Sequence, residues 1–184
     1  MSSSLTSLFK RLVSDESGVV TVEFVIIFPI FFGFFMMTIE SGIIAIRDVM
    51  LERGLDVTIR DIRIGTLMDP DAPTLRKNIC NAARLIPDCE NQLQIAMYVK
   101  DPESWTPLPN DVNCIDRSVS NRPATDFTHG DGNQLVVVRA CARVNVFFPT
   151  SGIGKAIVEN GSAASGNSYA LVATSSYVVE PRDD

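Results

Sequence analysis

The stretch SGVVTVEFVIIFPIFFGFF, residues 17–35, places a single carboxylate, Glu23, near the head of an apolar run and five positions after Gly18. Phe24 to Ile39 carries no charge, and beyond Glu40 the uncharged run resumes from Ser41 to Ile46. At about 1.5 Å per residue, a helix over Val19–Ile46 is roughly 42 Å long, more than the ~30 Å of a hydrocarbon core. The run is longer than the roughly 7–15 apolar residues of a secretory signal, and no A-x-A cleavage site follows it. The expectation is a retained membrane helix.

Around that helix, 184 residues leave room for one ordinary domain. The net charge of -6 argues against a nucleic-acid partner, because phosphate binding needs clustered Lys and Arg. The closest approach to such a cluster, Arg60 and Arg63, is offset by Asp56 and Asp61. Lys10 and Arg11 precede the helix, while Arg47, Arg53, Arg60 and Arg63 follow it, so the positive-inside rule does not settle orientation. Cys80, Cys89, Cys114 and Cys141 all follow the helix, with no CxxC and no zinc spacing. Paired cysteines in a polar domain point to an oxidising compartment; buried free thiols in a cytosolic domain are the alternative. Four cysteines allow three connectivities, of which Cys80–Cys89 with Cys114–Cys141 is favoured.

A charged carboxylate in a membrane helix costs about 2.5–3.5 kcal/mol at the centre and less toward the edge, so Glu23 calls for a partner. Its helical neighbours Val19, Val20, Ile26 and Ile27 supply none. Cleavage between Gly18 and Val19 would create one, an α-amino group with a reference pKa near 7.7–8.0. Between neighbouring chains offset along their axes, the amine of one could meet the carboxylate of the next. Such a pair would neutralise the charge and set an axial register.

The run KRLVSDESGVVTVEFVIIFPIFF, residues 10–32, resembles the N-terminus of type IV pilin-like precursors. More narrowly, it is similar to the minor pseudopilins of the Tad (tight adherence) pilus, the TadE/TadF-like proteins. That resemblance implies a leader over residues 1–18, removed by a prepilin peptidase between Gly18 and Val19, with Glu23 as the assembly residue. It further implies a bacterial inner-membrane, single-pass protein with a cytoplasmic N-terminus and a periplasmic cysteine-bearing domain. The implied partners are the peptidase, other pilin and pseudopilin subunits reached through the helix, the inner-membrane assembly platform and the membrane. The implied role is in pilus assembly or initiation and, through it, surface adhesion. One departure is Phe24, where the small major Tad pilins typically carry a tyrosine; those pilins also lack a domain after the helix. An uncleaved single-pass anchor displaying a binding domain is the alternative, and a type II secretion pseudopilin is another.

Beyond the membrane segment, 19–46, the helical pattern continues. Ile44, Leu51, Leu55, Ile59 and Ile62 recur at helical spacings, giving an extension over 47–65 and one rod of about 70 Å. The turn cluster MDPDAP, residues 68–73, is expected to end it. The remainder, 66–184, reads as an α+β domain. It comprises a short helix over Thr74–Leu85, a strand over 92–99, a long loop over 100–134, and strands over 135–148 and 168–179. In the second strand Val136, Val138, Ala140, Ala142, Val144, Val146 and Phe148 share one face. Arg139, Cys141, Arg143 and Asn145 share the other, as in a half-buried strand. The fold class expected is α+β: a long N-terminal transmembrane and amphipathic helix packed on a small antiparallel sheet, pilin-like.

Catalytic chemistry finds little in the sequence. His129 is the single histidine, and Asp126, His129, Asp131 and Asn133 do not have calcium-loop spacing. There is no G-x-S-x-G elbow and no phosphate-cradling glycine loop. Trp105, between Pro102 and Pro107, reads as a residue that pins a loop. No enzyme activity, cofactor or metal is expected.

Overall fold

The computed structural model describes residues 18–104, 106–110, 114–117, 125–160 and 167–180. The expected leader before Gly18, with Lys10 and Arg11, Trp105 and residues 161–166 lie outside the described residues.

Helix α1, Val19–Arg63, is a single element of 45 residues that continues through Pro29. At about 1.5 Å per residue it is roughly 66 Å long, the rod expected from the pattern. It ends earlier than residue 65 and by another device than the turn cluster. Gly65, at φ 75°, adopts the left-handed conformation that non-glycine residues avoid, and its N–H donates to the Ile62 carbonyl at 3.1 Å. Arg60 and Arg63 in the last turn complement the negative end of the helix dipole. The MDPDAP cluster starts the next helix instead: Asp71 is the N-cap of α2, Ala72–Ala82, accepting the Thr74 N–H at 3.1 Å. Proline in the first turn needs no N–H partner there.

A short turn of helix, α3 (Cys89–Gln92), leads into β1, Leu93–Lys100. Strand β2, Leu135–Asn145, is followed by α4, Gly152–Asn160, and β3, Ser168–Val178. The sequence pattern gave no sign of α3 or α4. The three strands form an antiparallel sheet in the order β1-β2-β3, with Ile95, Ala140 and Ala173 in register across it.

One sheet face carries Leu93, Ile95, Met97, Val136, Val138 and Val144, all buried, and the outer half of α1 closes it with Leu51, Leu55 and Ile59. Leu75 and Ile79 of α2 complete this core. The crossing of α1 and α2 depends on Gly54. A Cβ there would lie 2.7 Å from the Ile79 carbonyl oxygen and 3.1 Å from the Ala83 Cβ.

The opposite face is not open, which corrects the half-buried reading of β2. Val137, Cys141 and Arg143 are buried there. Residues 114–117 and 125–128 lie over them: Cys114 is joined to Cys141, and the Thr125 hydroxyl donates to the Ile95 carbonyl at 2.9 Å. Phe127 makes a parallel bridge with Met97. Arg117 donates to Gln92 at 2.7 Å and to the Arg143 carbonyl at 2.9 Å. The second disulfide, Cys80–Cys89, ties the end of α2 to α3. This is the pairing favoured from sequence.

Candidate assembly site on the long helix

The first turns of α1, through Phe32, are exposed and pack on none of the described residues. Its most apolar 18-residue window has no buried share, and Phe24, Phe31 and Phe34 are each at least 60% exposed. Four phenylalanines instead pair ring to ring along the helix surface. Phe24 and Phe28 have ring centroids 5.0 Å apart, Phe28 and Phe32 5.7 Å, and Phe32 and Phe35 6.5 Å. Spacings of four, four and three place these rings along one side of the helix. A stretch this long, apolar and exposed suits a lipid environment or the helices of other subunits.

Gly18 stands at the N-cap position of α1 with no side-chain cap, and Val19 is the first helical residue. Glu23 is in the second turn, exposed, with no hydrogen bond or ion pair to any described residue. Placement therefore agrees with what its neighbours in sequence imply: the carboxylate faces outward from the helix among apolar side chains. Whatever neutralises it comes from outside the described residues.

Glu40 behaves in the opposite way. From sequence it reads as a boundary residue with no further task. In the structure it is completely buried, and its two carboxylate oxygens accept the backbone N–H groups of Phe147 at 2.9 Å and Phe148 at 2.6 Å. About two turns further on, Arg47 donates to the Asn145 carbonyl at 2.9 Å and to the Tyr169 hydroxyl at 3.4 Å. These two side chains bind α1 to the end of β2. No local pattern in the sequence reports such contacts, because the partners, mostly backbone groups, lie about a hundred residues away or more.

The residues weighed for chemistry are scattered. His129 meets Phe127 edge-on at 5.3 Å and borders a cleft of about 290 Å³ with Asp69, Tyr177 and Glu180, at the far end of α1. Burial, and then the nearby Asp69, raise the Tyr177 phenol above its ordinary value. Among the described residues no three His, Cys, Asp or Glu side chains are grouped to hold a metal ion. The acidic and His residues 126–131 do not converge.

Residues 18–60 match the model of the TadE-like protein family. This part of the chain is similar to that family. The matched segment begins at Gly18 and holds Glu23, the phenylalanine ladder, Glu40 and Arg47, so it is α1 without its last turn. The match covers 43 of the chain's 184 residues, and the helix it falls on is long and apolar enough to cross a membrane. The sheet domain lies outside the match, and no curated protein and no solved structure matches the chain.

Proposed function

We propose that this chain is a minor pseudopilin of a Tad-type pilus, acting as a structural subunit and not as an enzyme. A prepilin peptidase removes the leader between Gly18 and Val19 on the cytoplasmic side of the inner membrane, leaving the disulfide-bonded domain in the periplasm. The helix then joins the helices of other pilin subunits at the assembly platform, where Glu23 of one chain meets the new amino group of its neighbour. The fibre so initiated serves surface adhesion.

One observation carries this reading. Glu23 is exposed on a bare apolar helix with no partner among the described residues, five residues after Gly18, inside the TadE-like segment. An unpaired carboxylate there costs free energy that a protonated amine from an adjacent subunit offsets. The two disulfides support an oxidising compartment for the domain.

The deciding measurement is the N-terminal residue of the mature protein, by intact mass and terminal sequencing from membranes of a host with an active prepilin peptidase. A chain beginning at Val19 supports the proposal. A chain beginning at Met1, with the peptidase active on a second substrate, replaces it with a plain anchored domain.

A further inference from the structure

Heights along α1 determine what the base of the domain can touch. Glu40 lies 21 residues beyond Val19, about 32 Å along the helix at the ordinary rise, so the ~30 Å hydrocarbon slab ends close to it. Three contacts hold other parts of the domain at that same height. Phe147 and Phe148 are bound through their N–H groups to Glu40. Gly152, the first residue of α4, sits against Met37, whose Cε would lie 3.0 Å from a Cβ at that position. Ile153 lines an open groove of about 560 Å³ with Phe34, Thr38, Ser41 and Ala45.

Residues 147–156 therefore stand beside the last turns of the apolar span, not above them. Phe147 is 57% exposed, and its ring meets Phe148 edge-on at 4.8 Å. Lys155 and Ala156 are exposed on α4. This exposed side lies next to the segment of α1 that suits lipid.

We infer that Phe147, Phe148 and α4 form a foot embedded in the headgroup and upper acyl layer of the bilayer that α1 crosses, with lipid chains filling the groove beside Ile153. The partner is the lipid surface itself. Its continuity with the exposed span argues for this occupant: α4 cannot lie level with Met37 without entering the interfacial layer. The bond pattern agrees, because near the hydrocarbon boundary two backbone N–H groups and a carboxylate lack water and must satisfy one another. An aromatic pair with a neighbouring lysine is the composition that interfacial segments use. The foot fixes the domain's height and tilt over the membrane, so leaving the bilayer for a fibre requires both α1 and the foot to change neighbours. The inference rests on α1 crossing a bilayer, and not on cleavage at Gly18 or assembly through Glu23.

The test uses the full chain with Trp105→Phe, carrying one new tryptophan at a time, in phosphatidylcholine vesicles at fewer than one chain per vesicle. At that dilution a second copy cannot cover the foot. Lipids brominated at a shallow or a deep acyl position quench tryptophan emission by contact. Phe28→Trp, near mid-span, reports the spanning helix through the deep bromines. Phe147→Trp and Ala156→Trp, both at exposed positions, are expected to lose emission chiefly to the shallow bromines. Leu85→Trp, exposed on the domain beyond Gly54, is expected to lose none. If Phe147→Trp and Ala156→Trp are quenched no more than Leu85→Trp while Phe28→Trp is quenched, the foot is overturned and the spanning helix stands. If Phe28→Trp is not quenched, the spanning helix falls and the foot falls with it.

Discussion

The Glu40 carboxylate accepts the Phe148 N–H at 2.6 Å across 108 residues of sequence, fastening the long helix to the chain just beyond the central strand. The Phe147 N–H occupies the other oxygen. Charge-assisted bonds of this kind contribute about 1.5–3 kcal/mol each, and removing one partner leaves buried donors unsatisfied. Glu40→Ala should lower unfolding free energy by about 3 kcal/mol in micelles, and Glu40→Gln by less because its amide oxygen still accepts one bond. Amide exchange at Phe147 and Phe148 should accelerate in the same variants. An unfolding curve unchanged in Glu40→Ala would show that the clamp contributes nothing to stability.

Gly54 offers a sharper contrast. In an exposed helix interior, glycine to alanine gains about 1 kcal/mol. At Gly54 the added methyl would press on the Ile79 carbonyl oxygen at 2.7 Å and on Ala83, so the sign reverses. Gly54→Ala is expected to cost about 1–3 kcal/mol, as overpacking does. Gly42→Ala, with nothing within 4 Å of its Cβ, should be neutral or stabilising. Equal effects of the two substitutions would remove the close crossing of α1 and α2.

The disulfides differ in what they hold. Cys80–Cys89 closes a separation of 9 residues, and Cys114–Cys141 one of 27. The chain-entropy model gives about 2.7 and about 3.6 kcal/mol respectively. The longer one also pins the cover over the second sheet face, where Cys141 is buried. Replacing Cys114 and Cys141 by Ser should therefore lower the midpoint of denaturant unfolding more than replacing Cys80 and Cys89. It should also expose the buried second-face positions of β1 and β2 to amide exchange; the opposite ranking would contradict the assigned pinning role.

These contacts separate what the sequence shows from what it hides. The rod was legible because Ile44, Leu51, Leu55 and Ile59 repeat at helical spacing, and β2 because Val136 to Val146 alternate. The helix start after Gly18 was legible because it stands at the mouth of one apolar run. The covering of Cys141 and Arg143 was not, since alternation reports a strand's own pleat and not what a distant loop lays over its second face. Helix α4 begins with Gly-Ile-Gly, weak helix formers that give no local signal. Glu40 was hidden for a stronger reason: its partners are main-chain N–H groups, which every residue but proline carries.

Asp71 gives the pH dependence. Its carboxylate is held below the ordinary carboxylate value by hydrogen bonds from Thr74, first the side chain and then the backbone N–H. A depressed folded value means stabilisation present above the unfolded-state pKa and lost as pH falls through the folded one. Asp71→Ala should lower the melting temperature of the domain at neutral pH, with the deficit shrinking on the acid side of the carboxylate range. A deficit of constant size down to strongly acid pH would exclude the ionised cap as its cause.

Glu23 is the residue on which the assembly proposal turns, and its substitution separates processing from assembly. In the proposed scheme the peptidase acts at Gly18 and not at Glu23, so Glu23→Ala should still yield a chain beginning at Val19. Losing the carboxylate also removes the cost of carrying a charge in lipid, so membrane insertion should be equal or better. What should fail is incorporation into sheared fibres or cross-linked complexes with other pilin subunits, by about tenfold or more if the lost pair contributes about 1.4 kcal/mol. Glu23→Asp, which keeps the charge on a shorter arm, should recover part of the loss, whereas Glu23→Gln should not. Undiminished incorporation of Glu23→Ala would assign the exposed carboxylate to the membrane boundary alone.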